Sequence, residues 1–472
     1  MERGKRMEVY INVKNFGKIK EARINISNFT VFVGNNNSGK TQLMQLIYAV
    51  VKVLSRVAPD ITLPEIGDIE GFRIEKREIE ELNMWVNQYL MSQKDRIVED
   101  TFNVVIPIEE ISVDFVEYAD FKRDMYFLRG RTLEYLTEKG MITSEQLTRV
   151  VQREDQAVPM MILSSEITKT TEKSRMITWF SKEIPSEIIK RIGLGYILSD
   201  VMGFGNFTLP NMVFLPASRT GLLLLYKYYF VNRDKVVEQA DDVSRNVQGM
   251  TEPVSDFLSF LMTYSYSGRV AKKNEKLIRF ISDHLIDGRI KETGETTIYT
   301  PRSTEKEIPL FVASSMVNEI APILKALTNS KEAGFIFYDE VETSLHPLKQ
   351  IEMAKLLNRL NNSGIRLIIS THSDTMATRL NNLMLLSHGG LDFEKVQRFL
   401  KKQGIIVEKD DLLVSNRMHV YQFVNVSDKE SIVQELEFHK APMTGYDFTL
   451  FNDSTEILFN EAKAVLGLED ED

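Results

Sequence analysis

The stretch from 29 to 50, FTVFVGNNNSGKTQLMQLIYAV, constrains this chain more than any other. An apolar run ends at Gly34, small and polar residues follow to Gly39, and Leu43, Ile47 and Val50 then recur along one helical face. Strand, glycine-bounded loop and helix in that order predict an α/β fold built on a parallel sheet. The loop fits G-x-x-x-x-G-K-[ST]. Gly34 and Gly39 let the backbone wrap phosphates, the amides of Asn35, Asn36, Asn37 and Ser38 face inward, and the helix starting near Lys40 adds its dipole. The expected ligand is a nucleoside triphosphate. Lys40 reaches its β and γ phosphates, the Thr41 hydroxyl ligates Mg²⁺, and Gln42 is counted with the nucleotide-binding set.

A second constellation is GFIFYDEVETSLHP, in which Phe335 to Tyr338 form a short apolar strand ending in Asp339 and Glu340. Neighbours on a strand project to opposite sides, so the two acids can divide their work. Asp339 is the expected metal-shell ligand and Glu340 the residue that polarises an attacking water. The run IRLIISTHSDTM then gives another strand, ending in Ser370, Thr371 and His372. An intervening helix, QIEMAKLLNRLNN, places His372 on the neighbouring parallel strand, at the edge where α/β sheets bind ligands.

The rest of the chain sets limits. Its 472 residues allow about two to four domains. With 58 Lys+Arg against 67 Asp+Glu the net charge is −9, which disfavours broad nucleic-acid or membrane adhesion and leaves only local patches. There is no cysteine, so disulfides and thiolate metal sites are excluded. The beginning, MERGKRMEVY, lacks an apolar signal core, and the greasiest run, GLLLLYKYYF at 221–230, is far short of the roughly 20 residues that span a bilayer. The expectation is a cytoplasmic protein with no membrane contact.

Along the chain, EVYINVKNFGKIKEARINISNFTVFVG alternates as a hairpin whose second part leads straight into the loop. From 51 to 210 charged helical pieces surround a β-like run at 101–118. Further expected elements are a strand at 211–218 entering a helix near Gly221, a helix at 254–266, and strands within 287–314. The tail EDED reads as a solvated end. The basic runs at 268–279 and 395–403 read as solvated helix faces, and His284, His388, His419 and His439 show no metal-ligand spacing.

These motifs carry a resemblance. NFGKI, VGNNNSGKT, ASSMVNEIAPIL, DEVETSLHP and STHSD resemble the OLD, RecF and SMC-like branch of ABC-type ATPases. The likeness is greatest to stand-alone ATPases of prokaryotic antiphage defence such as those of the PARIS and Septu systems. The resemblance implies an ABC-type P-loop ATPase head with an N-terminal β lobe and a mixed, helix-rich insertion. The nucleotide-binding core would comprise 1–50 and 301–472, and the insertion 51–300 would face a partner. It implies ATP and Mg²⁺ as ligands, Glu340 and His372 as catalytic residues, and TSLHP at 343–347 as the D-loop. LFVASSMVNEIAPILKAL at 310–327 would be the signature helix, with Ser315 contacting the γ-phosphate. The paired glycines of transporter signatures are absent, and no glutamine loop is placed. Arg219 in FLPASRTG admits two readings, a sensor of phosphate or partner and a salt-bridged residue at the edge of the core, the second being the commoner for such an arginine.

In such heads the signature of one subunit completes the site of another, which implies a homodimer or higher homo-oligomer with composite ATP sites. The functional expectation is a nucleotide-dependent switch in an abortive-infection complex, controlling a separate effector such as a nuclease. The alternative is a DNA-repair or chromosome-maintenance ATPase, which predicts a long coiled-coil arm or a DNA groove. No sustained heptads are present. A nuclease within the same chain would need a metal-binding domain after His372, where only about 100 residues remain.

Overall fold

A computed structural model describes residues 8–57, 59–61, 71–116, 123–129, 160–168, 171–180, 211–225, 250–293, 296–414, 418–442 and 445–448, with short pieces within 194–202 and 457–464. The EDED tail and most of 130–210 lie outside the described residues.

The chain opens with β1 (Glu8–Phe16) and β2 (Ile19–Asn25), joined at Gly17, whose φ of 56° suits a tight turn. β3 (Phe29–Gly34) is a separate strand, so the expected unbroken run from hairpin into loop is interrupted at 26–28. The reason is local. The Asn25 side chain accepts from the Ser27 amide at 2.8 Å, a turn that competes with strand continuation. Next come α1 (Lys40–Leu54), β4 (Gly71–Ile74), α2 (Lys76–Phe102), β5 (Glu110–Val116), β6 (Arg123–Arg129), β7 (Met160–Thr168), β8 (Thr171–Phe180) and β9 (Asn211–Leu215). Beyond them lie α3 (Glu252–Met262), α4 (Gly268–Lys273), α5 (Glu275–Phe280), β10 (Gly288–Thr293), β11 (Thr296–Pro301), β12 (Ile308–Pro309) and α6 (Ser315–Thr328). The chain continues through β13 (Ala333–Tyr338), α7 (Pro347–Asn362), β14 (Arg366–Thr371), α8 (Asp374–His388), α9 (Phe393–Lys402), β15 (Met418–Ser427) and β16 (Glu430–Leu436).

Packing divides the chain into two units. The first comprises 1–12, 51–94 and 110–209. It holds a sheet in the order β4-β6-β8-β7, with β7 and β8 antiparallel and β6 parallel to β8. Asn87 of α2 brackets Val113 of β5, donating to its carbonyl at 3.0 Å and accepting from its amide at 2.7 Å.

The second unit comprises 13–50, 95–109 and 210–472, and it carries every candidate site residue. Its sheet runs β2-β16-β15-β3-β14-β13-β9. From β15 to β9 all neighbours are parallel, while β16 turns back antiparallel to β15. The central strands are buried on both faces, which is why β3 and β14 read as continuous apolar runs. β9 falls inside the span 51–300 expected as an insertion, yet pairs with β13 in this sheet, because NMVFL is a buried strand of the same kind. α1 contributes Leu43, Met44, Leu46, Ile47 and Val50 to the core, each fully buried and each stabilising the fold by roughly 1.5–3 kcal/mol at most. α9 lies at the other extreme, with no buried residue at all, as its basic run leads one to expect. No helix of the described residues is long and apolar enough to cross a membrane.

Candidate nucleotide site

Parallel β3, β14 and β13 end together, so Gly34, Thr371 and Tyr338 open on one edge of the sheet. The loop after β3 is held from below by β15. A Cβ on Gly34, whose φ is 142°, would stand 2.2 Å from the Phe423 carbonyl oxygen, so only glycine allows the two strands to approach this closely. Asn37 (φ 57°) and Gly39 (φ 92°) also take left-handed backbone, and asparagine is among the side chains that tolerate it best. Ser38 Oγ donates to the Asn35 carbonyl at 2.8 Å, and Asn425 of β15 donates to the Asn36 carbonyl at 3.2 Å. The side chains of Asn35, Asn36 and Asn37 are exposed while Ser38 is buried. Gln42 lies over the first hairpin, its Oε1 3.1 Å from where a Cβ on Gly17 would stand.

Lys40 folds back into this loop. Its ammonium donates to the carbonyls of Asn35 (2.6 Å) and Gly34 (3.0 Å) and to Ser38 Oγ (3.3 Å), and the residue is 3% exposed. Burial lowers its pKa to about 8, against the opposing pull of Asp339, Glu340 and Glu342. A cation whose hydrogen bonds all go to neutral oxygens is one that an arriving phosphate can take over.

The two acids at the end of β13 have different surroundings. Asp339 is buried, and its carboxylate accepts from Thr41 Oγ1 at 2.9 and 3.1 Å and from Ser370 Oγ at 2.5 Å. Desolvation pushes its pKa up despite those two hydroxyls and the nearby charge of Arg219. Thr41 and Asp339 together fit a Mg²⁺ ion, which commonly takes one or two protein oxygens plus substrate phosphates and water. Glu340 is half-exposed and turns outward because its φ is 46°. A non-glycine residue in that conformation costs roughly 1–3 kcal/mol, a strain found most often at functional sites. Its amide donates to Ser370 Oγ at 2.8 Å, so one serine hydroxyl fastens both acids.

His372 Nε2 lies 3.8 Å from Glu340 Oε1, and its Nδ1 is 3.1 Å from the Gly34 carbonyl. The Gly34 contact fits a proton on Nδ1, leaving Nε2 beside Glu340 as the nitrogen free to take up a second proton. Burial and the charge of Lys40 lower its pKa, favouring the neutral ring. Glu342, which the sequence reading passed over, is half-buried and accepts from the His372 amide at 2.6 Å. The site therefore brings together Gly34 to Thr41, Asp339, Glu340 and His372.

Ser315 is placed apart from them. It begins α6 on an exposed turn beside Phe311 and Val312, which are 65% and 61% exposed, and no hydrogen bond among the described residues joins it to the loop. Arg219 is fully buried, and its Nε pairs with Glu319 Oε2 of α6 at 2.8 Å. That is the salt-bridged reading of this arginine. Its other nitrogens donate to the carbonyls of Pro216 (2.8 Å), Asp339 (2.6 Å) and Glu340 (3.1 Å). The sequence signal for such a role is FLPASRTG at the end of a strand; nothing in it marks Glu319 as the partner.

The chain matches the AAA_15 family model, an AAA ATPase domain, over residues 7–191 and 207–377. It belongs to that AAA ATPase domain family. Among solved structures it is similar to a Smc head bound to the C-winged helix domain of ScpA, at 13% identity and a TM-score of 0.35, covering 92% of this chain and 98% of that one. It is also similar to the SMC head domain from Thermotoga maritima, at 12% identity and a TM-score of 0.33, covering 92% and 100%. Scores this low carry no functional inference. No curated protein matches.

Proposed function

We propose that this chain binds and hydrolyses ATP as the switch subunit of a prokaryotic antiphage defence complex. In this reading residues 34–42 grip the triphosphate, and Lys40 exchanges two loop carbonyls for phosphate oxygens. Thr41 and Asp339 would hold Mg²⁺, which would supply positive charge to offset that of the triphosphate. Glu340 orients and polarises the attacking water, and His372, once Nε2 takes up a proton as the polyphosphate arrives, donates toward the γ-phosphate. Ser315, exposed at the start of α6, serves the site of a second copy, so that ATP joins two chains through composite sites.

The observation that carries the ATPase reading is the division of labour at the end of β13. One carboxylate is buried against Thr41, and its neighbour, on a left-handed backbone, stands beside His372. Support for a defence role, and for control of a separate effector, comes from the motif resemblance. Partner contact through the 51–300 region belongs to the same reading. The test has two arms: ATP turnover by the purified chain, and phage plating on cells carrying its native locus with or without Lys40→Ala. A chain that turns over ATP but whose locus gives no Lys40-dependent protection overturns the defence role alone.

A further inference from the structure

Arg219 is the largest of the fully buried side chains among the described residues, and it touches three elements at once. It follows β9 in a helical stretch, 219–225, whose main chain is itself tied to α6. The Thr220 amide donates to Glu319 Oε1 at 3.0 Å and its hydroxyl to the Ser315 carbonyl at 3.4 Å. Glu319 Oε2 meets Arg219 Nε at 2.8 Å, so both oxygens of this buried carboxylate are spent on residues 219 and 220. The guanidinium also lies over the Tyr338 ring, 4.7 Å from its centre, and reaches the carbonyls of Asp339 and Glu340. Those carbonyls belong to the peptide units that set where the two acids point.

We propose that Arg219 and Glu319 are positioning residues that couple the exposed N-terminus of α6 to the backbone of Asp339 and Glu340. The proposal rests on the ATPase reading above and deepens it. Ser315 and Glu319 stand one helical turn apart on α6, so a ligand that presses or draws the first turn of α6 moves Glu319 with it. A planar five-donor cation transmits such a shift because its nitrogens are fixed relative to one another. Its far side holds the carbonyl of Glu340, a residue already in a left-handed conformation that depends on its surroundings to persist. The arrangement lets occupancy at the signature end of one chain set the aim of the water-orienting carboxylate in that same chain. Phosphate grip by the loop is left to other residues, since among the described residues no hydrogen bond or ion pair joins Arg219 or Glu319 to any residue from Gly34 to Thr41.

The test uses the full chain with Mg·ATP. Glu319→Gln keeps the size of the side chain and an acceptor for Thr220, but loses the charge that fixes Arg219. It should leave the Kd for ATP within about twofold while kcat falls about tenfold or more, and Arg219→Lys, which cannot span both carbonyls, should do the same. The double variant should be no slower than the slower single, because the two act as one unit. Wild-type kcat in Glu319→Gln, or a parallel loss of Tm, affinity and kcat, overturns the coupling. If neither variant folds, hydrogen exchange on Glu340→Gln chains with and without ATP decides. Protection at Thr220, at 339–342 and in the first turn of α6 should change together, and independent changes overturn the coupling. Absence of ATP turnover by the unaltered chain overturns the ATPase reading and this inference with it, whereas turnover that is insensitive to Glu319 overturns this inference alone.

Discussion

The two ends of the candidate site are finished to different degrees. At the phosphate loop the lysine, the buried acid and a loop carbonyl find their partners within the chain: Lys40 in loop carbonyls, Asp339 in Thr41 and Ser370, the Asn36 carbonyl in Asn425. At the start of α6 the side chains of Phe311, Val312, Ser314 and Ser315 face outward instead. A closed end can be preorganised by its own fold, while an open end acquires its role only when something covers it. The contrast is that of a grip built in one chain and a contact reserved for another. It breaks if changes at the closed end fail to separate binding from chemistry, or if the open end proves dispensable.

The largest effect is expected at the closed end. Lys40→Ala removes the buried cation that faces the phosphates and should weaken ATP binding at least ~100-fold, about 2.7 kcal/mol. Titration of a fluorescent ATP analogue reads this directly, and an unchanged affinity rules out the phosphate-loop assignment. Glu340→Gln should act on the other step, retaining affinity while slowing turnover about 100-fold, because Asp339 and the loop still hold the nucleotide. Loss of binding in that variant would mean that the two acids share one job.

The open end is tested by mixing. Ser315→Arg places a long cation on the exposed turn of α6 and should block turnover without altering the chain's own loop. Lys40→Ala and Ser315→Arg chains mixed in equal amounts should then regain about a quarter of wild-type turnover. Half of the dimers are mixed under random pairing, and each mixed dimer holds one intact site of two. No recovery would place the whole site within one chain and dissolve the comparison.

The closed end was also the legible end. β3, the loop and α1 are contiguous, so period, glycines and lysine announced themselves together, and Asp339, Glu340 and His372 could be read from apolar strands stopping at chemistry-bearing residues. The serine that fastens the acids, Ser370, stood in the quoted strand end without its role being visible, since that depends on β13 and β14 being parallel neighbours in register. Other features were hidden by distance along the chain. The pairing of Arg219 with Glu319 joins positions about 100 residues apart, and no periodicity links them. β9 read as a strand from its residues, but its membership in the central sheet depends on β13, far downstream. The separation of β2 from β3 was missed for the opposite reason, because one asparagine side chain, at Asn25, outweighed an otherwise continuous alternation.

The smallest predicted effect is a pH dependence, and it tests whether the loop is closed in the electrostatic sense as well. Burial holds the Lys40 pKa near 8 rather than 10.5 when the loop is bound only to its own carbonyls. Between those two values the folded chain binds fewer protons than the unfolded chain. The contribution of Lys40 to stability therefore rises with pH across the window, and the penalty for burying the charge is fully present below about 8. ATP binding has the opposite slope. A polyphosphate favours the charged amine, so binding above pH 8 must take up a proton, and affinity should fall by up to about tenfold per pH unit. ATP affinity measured from pH 7 to 9.5 should be flat at first and then decline, while denaturant stability of the nucleotide-free chain gains a rising component that Lys40→Met lacks. Affinity that stays level to pH 9.5 would mean that Lys40 remains charged throughout. The loop would then be open to water at the lysine, and the two ends of the site would differ less than their geometry indicates.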